Sequence, residues 1–550
     1  MTRATVSEIW DAVVDAGALS PGWVGLPGTD VETHAQVLAR LRSADLDDWA
    51  TTAARVGFCS IPVRLVGSSI AVHRTSGEVL RSYASADEPS GVTFARCGNR
   101  RADQCPSCSR LYAADTFHLI RAGVAGGKGV PESVADNPLV FATLTAPSFG
   151  VVHGRRQNRP CRPRGRSASR CEHGRPTACS QVHQLDDPAL GQALCPDCYD
   201  YQSHVVWQWW APELWRRFTI ALRRRLAQLL GADLDHLGDV ASLQYAKVAE
   251  YQVRGAVHFH ALIRLDGPPS ADGFAPAPRE VSAGVLAQVV EQVVAEVTLV
   301  VDPVSPGDAA RVLAFGAQVD TRVVRASRRT DDPDAPLTGE QVAGYLAKYA
   351  TKSATDTESR DNPHLRRLHA TARALAAQAD VAHDPMSPYR LLGRWAHTLG
   401  FRGHFSTKSR RYSVTLGRLR RARQRAQIRI AAAARAGTTV DLRDLEAELL
   451  ADDTDEATLV IGSWAYAGSG WANAGETALQ GRRVVRGGAA GHGSGGGHQA
   501  PTRESGAATS ASTRVTTSDA ATPVNSASGS ITRRCAHTGI ASALMSSGTM

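Results

Sequence analysis

Lysine is scarce in this chain. Only Lys128, Lys247, Lys348, Lys352 and Lys408 contribute to the 62 basic residues, and all the others are Arg. A codon bias toward Arg would produce the same imbalance, so the arginine count alone identifies no partner. It does make each lysine conspicuous. Long apolar runs are missing as well. The longest stretch, Val281 to Val301, is interrupted by Glu291 and Glu296 and reads as an amphipathic helix, not a membrane span. Met1 to Trp10 carries acid and no apolar run of the secretory kind. These absences predict a cytoplasmic protein with no membrane partner. No internal repeat is visible. Cysteine is almost confined to one region: nine of ten lie between Cys59 and Cys198, and the tenth is Cys535. Clustering of that kind without a secretory segment points to bound metal and away from disulfides.

What is present is enough for two or three domains. The chain has 550 residues, 43% of them hydrophobic, with a net charge of +9. The basic balance favours a polyanionic partner without naming one. Residues 1–55 read as helical. Phe58 to Leu80 alternates like strands, with Gly67-Ser68-Ser69 and Ser76-Gly77 as turns. Leu139 to Thr145 reads as a buried strand, Val206 to Leu230 as a long helix, and Leu243 to Tyr251 and Val257 to Leu265 as two strands joined at Arg254-Gly255. Val285 to Val301 reads as a helix, Gln318 to Val324 as a strand, and Gln341 to Lys352 and Arg418 to Ala434 as helices. After about residue 485 Gly, Ser, Ala and Thr dominate, and disorder is expected.

The two central strands carry the most informative pattern. His258 and His260 stand two apart, so both imidazoles leave the same face of a strand. With 18 His in 550 residues such a pair arises by chance in about half of similar chains, so its weight comes from context. An apolar residue separates the two, an apolar run follows, and Arg254-Gly255 turns the preceding strand back. If that loop has an odd number of residues, Glu250 lies opposite one of the histidines and faces the same way. Two imidazoles and one carboxylate suit Mg²⁺ or Mn²⁺ acting on phosphate better than a closed structural zinc site.

Downstream, Tyr345 and Tyr349 are one helical turn apart, and so are Lys348 and Lys352. Each Tyr precedes a Lys by three residues, and two of the few lysines fall here. A phenol is a weak nucleophile at its ordinary pKa of about 10 and needs cationic or metal assistance, which a nearby ammonium can supply.

The cysteines form two groups. Cys105-x-x-Cys108 has zinc-knuckle spacing, with Cys97 and more distantly Cys59 as further ligands. Cys171, His173, Cys179, Cys195 and Cys198 make the second group, to which Cys161 and His183 add two candidates. One or two structural zinc ions are expected, and spacing leaves the pairing of ligands open. The loop from Arg155 to Arg175 and the helix from Arg418 to Arg429 offer cations to a phosphate backbone. The tryptophans at 207–215 read as core packing more than as a base-stacking platform. Gly123 to Gly129 fails as a phosphate loop, because Gly129 stands where Ser or Thr would bind Mg²⁺.

In order along the chain come Phe141-Ala142-Thr143-Leu144-Thr145, then His-hydrophobe-His, then the doubled Tyr-x-x-Lys. This resembles the motif set of HUH endonucleases that start rolling-circle replication. Cys97-Gly98-Asn99-Arg100-Arg101, Leu144 to Gly150, Cys195-Pro196-Asp197-Cys198-Tyr199 and Gly400-Phe401-Arg402-Gly403-His404-Phe405 narrow it further. With them the chain resembles the replication initiators of actinobacterial plasmids and integrative conjugative elements. The resemblance implies an α+β fold: an antiparallel-sheet HUH core with helices, zinc-binding insertions and a disordered C-terminal tail. It implies that His258 and His260 hold a divalent ion and that Tyr345 or Tyr349 attacks a scissile DNA phosphate, leaving a 3′-OH and a 5′-phosphotyrosine. The expected partners are origin DNA, a host helicase and a DNA polymerase, since no ATPase motif is present. The implied layout is an N-terminal helical segment (1–55), a zinc-binding region (56–138), a nicking domain (139–355) holding a second zinc-binding insertion (about 155–200), a basic helical region (356–480) and the tail (481–550). A non-catalytic zinc-containing DNA-binding regulator is the rival from another class. A relaxase or transposase would share the chemistry and differ in the DNA recognised.

Overall fold

A computed structural model of the chain describes residues 30–163, 170–270, 273–325, 337–350, 362–381, 386–440 and 458–480. Lys352, residues 1–29 of the N-terminal segment and the 481–550 tail lie outside the described residues.

The principal elements begin with helices α1 (Val31–Leu41) and α2 (Leu46–Arg55) and strands β1 (Val63–His73), β2 (Val79–Ala84) and β3 (Thr93–Ala95). Helix α3 (Pro106–Ala125), strand β4 (Leu139–Leu144), the long helix α4 (Tyr201–Leu229), and strands β5 (Ser242–Tyr251) and β6 (Val257–Asp266) follow. Next come α5 (Ala283–Glu296), β7 (Thr298–Val301), β8 (Arg311–Ala314), β9 (Val319–Arg325), β10 (Leu337–Thr338) and α6 (Gly339–Ala350). Helix α7 (Pro363–Val381), β11 (Ser406–Lys408), α8 (Leu416–Ala436) and β12 (Thr458–Ser469) follow, and residues 474–480 are helical.

The central sheet runs β10-β9-β4-β6-β5-β11 and is antiparallel except at the β9/β10 edge. Strand β6 sits inside it and is buried along nearly its whole length. Its residues divide by period two. Val257, Phe259, Ala261, Ile263 and Leu265 enter a large core with α4, α5 and α7, whereas Leu262 joins Leu346 of α6 and Ile120 of α3 on the opposite face. Helices therefore cover both faces of an antiparallel sheet. No described helix is long and apolar enough to cross a membrane.

A second sheet joins distant parts of the chain, in the order β12-β1-β2 with β3 also on β1. Two sequence expectations change here. Gly67-Ser68-Ser69 is not a turn, because β1 runs straight through it. A Cβ on Gly67 would come within 2.0 Å of the Ser463 carbonyl oxygen, and its φ is +153°. The glycine marks close backbone approach by β12, which a sequence reader mistakes for a bend. Strand β12 itself falls within the region read as basic and helical. Its alternation only becomes meaningful against β1, with which it pairs from Val63↔Ser469 to His73↔Thr458. The helix expected over Val285 to Val301 is also shorter. It ends at Glu296, and Thr298–Val301, β-branched at three of its four positions, pairs with Arg311–Ala314.

The tryptophan-rich segment is core. Trp207 and Trp209 are fully buried in α4, with Trp215 packing edge-on to Phe259 of β6.

Candidate active site

The β5–β6 hairpin closes over a short loop in which the Gln252 amide donates to the Ala256 carbonyl and the Gly255 amide to the Gln252 carbonyl. Gly255 has φ +78°, and a Cβ there would meet Leu365, Leu368 and Leu399 within 3.1 Å. Both facts require glycine. The resulting register sets Glu250 opposite His258 and Val248 opposite His260, while Thr143 of β4 faces His260 from the other side. Strand alternation then sends the side chains of Glu250, His258, His260 and Thr143 to the same face.

There they converge. His258 Nε2 and His260 Nε2 each lie 3.1 Å from Glu250 Oε2. His260 Nδ1 lies 3.1 Å from Thr143 Oγ1. When Nδ1–H donates to that hydroxyl, the Nε2 lone pair is left facing Glu250 and His258. These three residues can together hold a metal ion. Glu250 and His260 are buried and His258 is half-buried. A carboxylate in so enclosed a place calls for a cation or hydrogen-bond partners, and an oxygen-plus-two-imidazole set suits a divalent ion with open positions.

Helix α6 brings Tyr345 to this cluster. Its hydroxyl lies 3.5 Å from His260 Nε2, and its ring stands edge-on to His260 and to Phe141. Phe141 in turn stacks on His260. Val342, Ala343 and Leu346 anchor the buried side of the helix, and Tyr345 stays 39% exposed, open to a ligand from solvent. Lys348 is exposed on the same helix, and Tyr349 follows one turn after Tyr345. Thus the fold gathers Glu250, His258, His260 and Tyr345. Lys352 lies outside the described residues.

Other residues, not singled out by sequence motifs, hold the hairpin in place. Gln208 of α4 is buried and uses both ends of its amide. Its nitrogen donates to the Gly255 and Leu399 carbonyls, and its oxygen accepts from the Val257 amide at 2.8 Å. Arg254 donates to the Ala146 and Pro147 carbonyls. His364 Nε2 lies 3.1 Å from the Arg254 carbonyl, and its Nδ1 lies 3.0 Å from the Tyr201 hydroxyl. Burial pushes the His364 imidazole down to about 4, so it stays neutral and fits one tautomer, donating from Nε2 and accepting at Nδ1. The sequence signal for Gln208 and Thr143 was a single polar side chain inside an apolar run, which folding must satisfy internally.

The cysteines gather into three sets, not two, and the nine described ones are all free of disulfides. Cys59, Cys97, Cys105 and Cys108 form the first beneath Trp471, with Cys59 Sγ 3.7 Å from Cys105 Sγ and 3.6 Å from Cys108 Sγ. Crowding of the thiols lowers Cys105, through its Cys108 and Cys59 neighbours, and raises Cys59, through Cys105 and Cys108. Cys171, His173, Cys195 and Cys198 form another set. Cys179 separates from that group and joins Cys161, His183 and His153, a residue that no motif marks.

The comparisons with known proteins point one way. A family model described as "Replication initiator protein, pSAM2" matches residues 45–482. A replication initiator protein of Streptomyces ambofaciens is 41% identical over 451 residues, covering 79% of this chain and 89% of that relative. No solved structure matches.

Proposed function

This chain belongs to the pSAM2 replication initiator family, and from that premise we propose that it starts replication by nicking one strand of origin DNA with Tyr345. The observation that carries the proposal is the 3.5 Å approach of the Tyr345 hydroxyl to His260 Nε2, beside the Glu250–His258–His260 set. An antiparallel sheet with a His-x-His strand in its interior supports an HUH-type core. Glu250, His258 and His260 would hold Mg²⁺ or Mn²⁺, which when bound polarises the scissile phosphate. Thr143 keeps the His260 lone pair turned toward that position. Tyr345 attacks phosphorus. An Oη–P bond forms, the P–O3′ bond breaks, the phenol loses its proton and the departing 3′ oxygen gains one. The products are a 5′-phosphotyrosine and a 3′-OH that primes synthesis. Bond energy is conserved in the adduct, so cutting requires no ATP. Lys348, one turn from Tyr345, supplies positive charge near the phosphate path; Tyr349 is a candidate for a second cut and rejoining, with Lys352 as its basic neighbour.

DNA would meet exposed arginines at Arg155, Arg156, Arg159 and Arg162 and along α8 at Arg421 and Arg429. Part of α8 serves the fold instead, since Arg423 hydrogen-bonds buried Asp115 of α3. The cysteine sets are read as structural zinc sites, and a host helicase and polymerase would extend the primer.

The test is nicking of supercoiled DNA carrying the element's origin, with Mn²⁺ or Mg²⁺, beside EDTA and the Tyr345→Phe and Tyr349→Phe proteins. Protein-linked nicked DNA that disappears with EDTA and with Tyr345→Phe supports the proposal. An adduct that persists in Tyr345→Phe and disappears in Tyr349→Phe moves the nucleophile one turn along α6. Origin binding by folded protein without any nick would leave a non-catalytic DNA-binding initiator.

A further inference from the structure

We propose that the segment between β4 and α4 is a cross-braced module holding two zinc ions whose ligand pairs interleave along the chain. This inference stands apart from the nicking chemistry. His153 and Cys161 come first and share a site with Cys179 and His183. Cys171 and His173 lie between those pairs and share the other site with Cys195 and Cys198. Pairs one and three therefore meet at one centre, and pairs two and four at the other.

Distances match tetrahedral zinc. With Zn–S of about 2.3 Å and Zn–N of about 2.0–2.1 Å, the edges of the tetrahedron are about 3.8 Å between two sulfurs, about 3.6 Å between sulfur and nitrogen and about 3.3 Å between two nitrogens. His153 Nδ1 and His183 Nε2 are 3.1 Å apart, Cys179 Sγ and His183 Nε2 3.5 Å, and Cys161 Sγ and His153 Nδ1 3.9 Å. In the second set His173 Nδ1 lies 3.2 Å from Cys198 Sγ. Four soft or borderline donors at such spacing select zinc over magnesium or calcium.

Hydrogen bonding supports the ligand roles. His183 Nδ1 lies 2.5 Å from Asp187 Oδ2. The carboxylate thereby orients the ring with Nε2, the atom beside Cys179 and His153, as the bare lone pair. Backbone pairing ties the two sites into one body. Arg162 and Cys179 exchange both amide–carbonyl bonds, and Cys161 donates to Gln181. His153 likewise exchanges bonds with Gln192 and Gly191, next to the ligands at Cys195 and Cys198. A Cβ on Gly191 would lie 2.5 Å from the Val253 backbone, so the module rests directly on the loop of the β5–β6 hairpin. Each metal closes the chain around the other.

The test is zinc counting by native mass spectrometry on the full chain, with stepwise extraction by a chelator. Three zinc ions per chain are expected, one from the Cys59 set and two from the module. The module's two should leave together, so that a one-zinc species follows the three-zinc species without an abundant two-zinc intermediate. Cys179→Ser should speed chelator extraction of the Cys195-set zinc at least tenfold and leave the Cys59-set zinc unchanged. Two or fewer zinc ions in folded protein, or independent release of the two, would overturn the proposal. The wild-type release pattern decides the matter even if the Cys179→Ser protein does not fold.

Discussion

Thr143 Oγ1 lies 3.1 Å from His260 Nδ1, across the β4–β6 pairing that sets the two residues side by side. A hydroxyl in an otherwise apolar strand is thus placed to accept from Nδ1–H, which leaves the Nε2 lone pair of a candidate metal ligand facing Glu250 and His258. Thr143→Val keeps the shape and removes the partner. Metal affinity is expected to fall about 10–100-fold, the usual effect of losing such an outer partner, while Thr143→Ser stays near wild type. Titration with Mn²⁺ followed by electron paramagnetic resonance measures it. Unchanged affinity in the valine protein would remove Thr143 from the site.

Gln208 ties α4 to the hairpin through two bonds and to the Leu399 carbonyl through a third. Gln208→Leu leaves the buried Val257 amide and the Gly255 and Leu399 carbonyls without that partner. A destabilisation of roughly 2–4 kcal/mol follows from unsatisfied buried groups. Urea unfolding reads it directly, and a loss under about 0.5 kcal/mol would show that the groups find other partners.

The neutral His364 makes the fold acid-sensitive. An unfolded histidine titrates near about 6.5, and burial holds the folded one at about 4. Between those values the unfolded chain takes up a proton that the folded chain refuses. Stability contributed by this group is complete above about pH 6.5 and declines as pH falls toward about 4, by roughly 3 kcal/mol in all. His364→Gln should show a shallower acid decline than wild type in denaturation across that range. Fully buried His204 shifts in the same direction, chiefly through its own burial, and is present in both proteins, so the difference reports His364 together with its repulsion of His204. Parallel pH curves for the two proteins would refute this assignment.

Lys247 is buried on the sheet face away from Tyr345, with its ammonium 4.4 Å from the Phe259 ring and 5.5 Å from that of Trp215. Burial brings it down to about 7, against about 10.4 when unfolded, and the two rings offset part of the penalty. The unfolded chain binds the extra proton between those values. Stability therefore rises with pH through that window, and the deficit is complete below about 7. Lys247→Met should be more stable than wild type by roughly 2–4 kcal/mol near pH 6.5, with the gap narrowing toward pH 9.5. Urea midpoints at the two pH values measure it, and a gap that does not narrow would sink the argument.

Much of the candidate site is legible in the sequence. Two histidines at spacing two must share a strand face, and a tyrosine in an amphipathic turn must sit on a helix edge, because both periodicities are local. The Glu250 position followed conditionally from the parity of one loop, and Gly255 resolved that condition. Thr143 and Gln208 stood out only as lone polar residues in apolar runs, and His153 not at all; the roles of all three were not legible, because each acts on a partner more than 25 residues away. For the same reason Gly67 read as a turn. Its meaning lies in Ser463, which the sequence places nowhere near it.

Residue identity and short spacing were enough for the strands and helices of the central sheet, for the candidate ligand types and for the family resemblance, but not for β12, the run of β1 through Gly67 or the end of α5 at Glu296. Tertiary structure alone decided three further things: the approach of Tyr345 to His260, the partition of the cysteines into three sets, and the pairing of the N-terminal sheet with β12. Those depend on which loops close on which. Loop closure is governed by packing and hydrogen-bond satisfaction across the whole chain, and no local pattern encodes it.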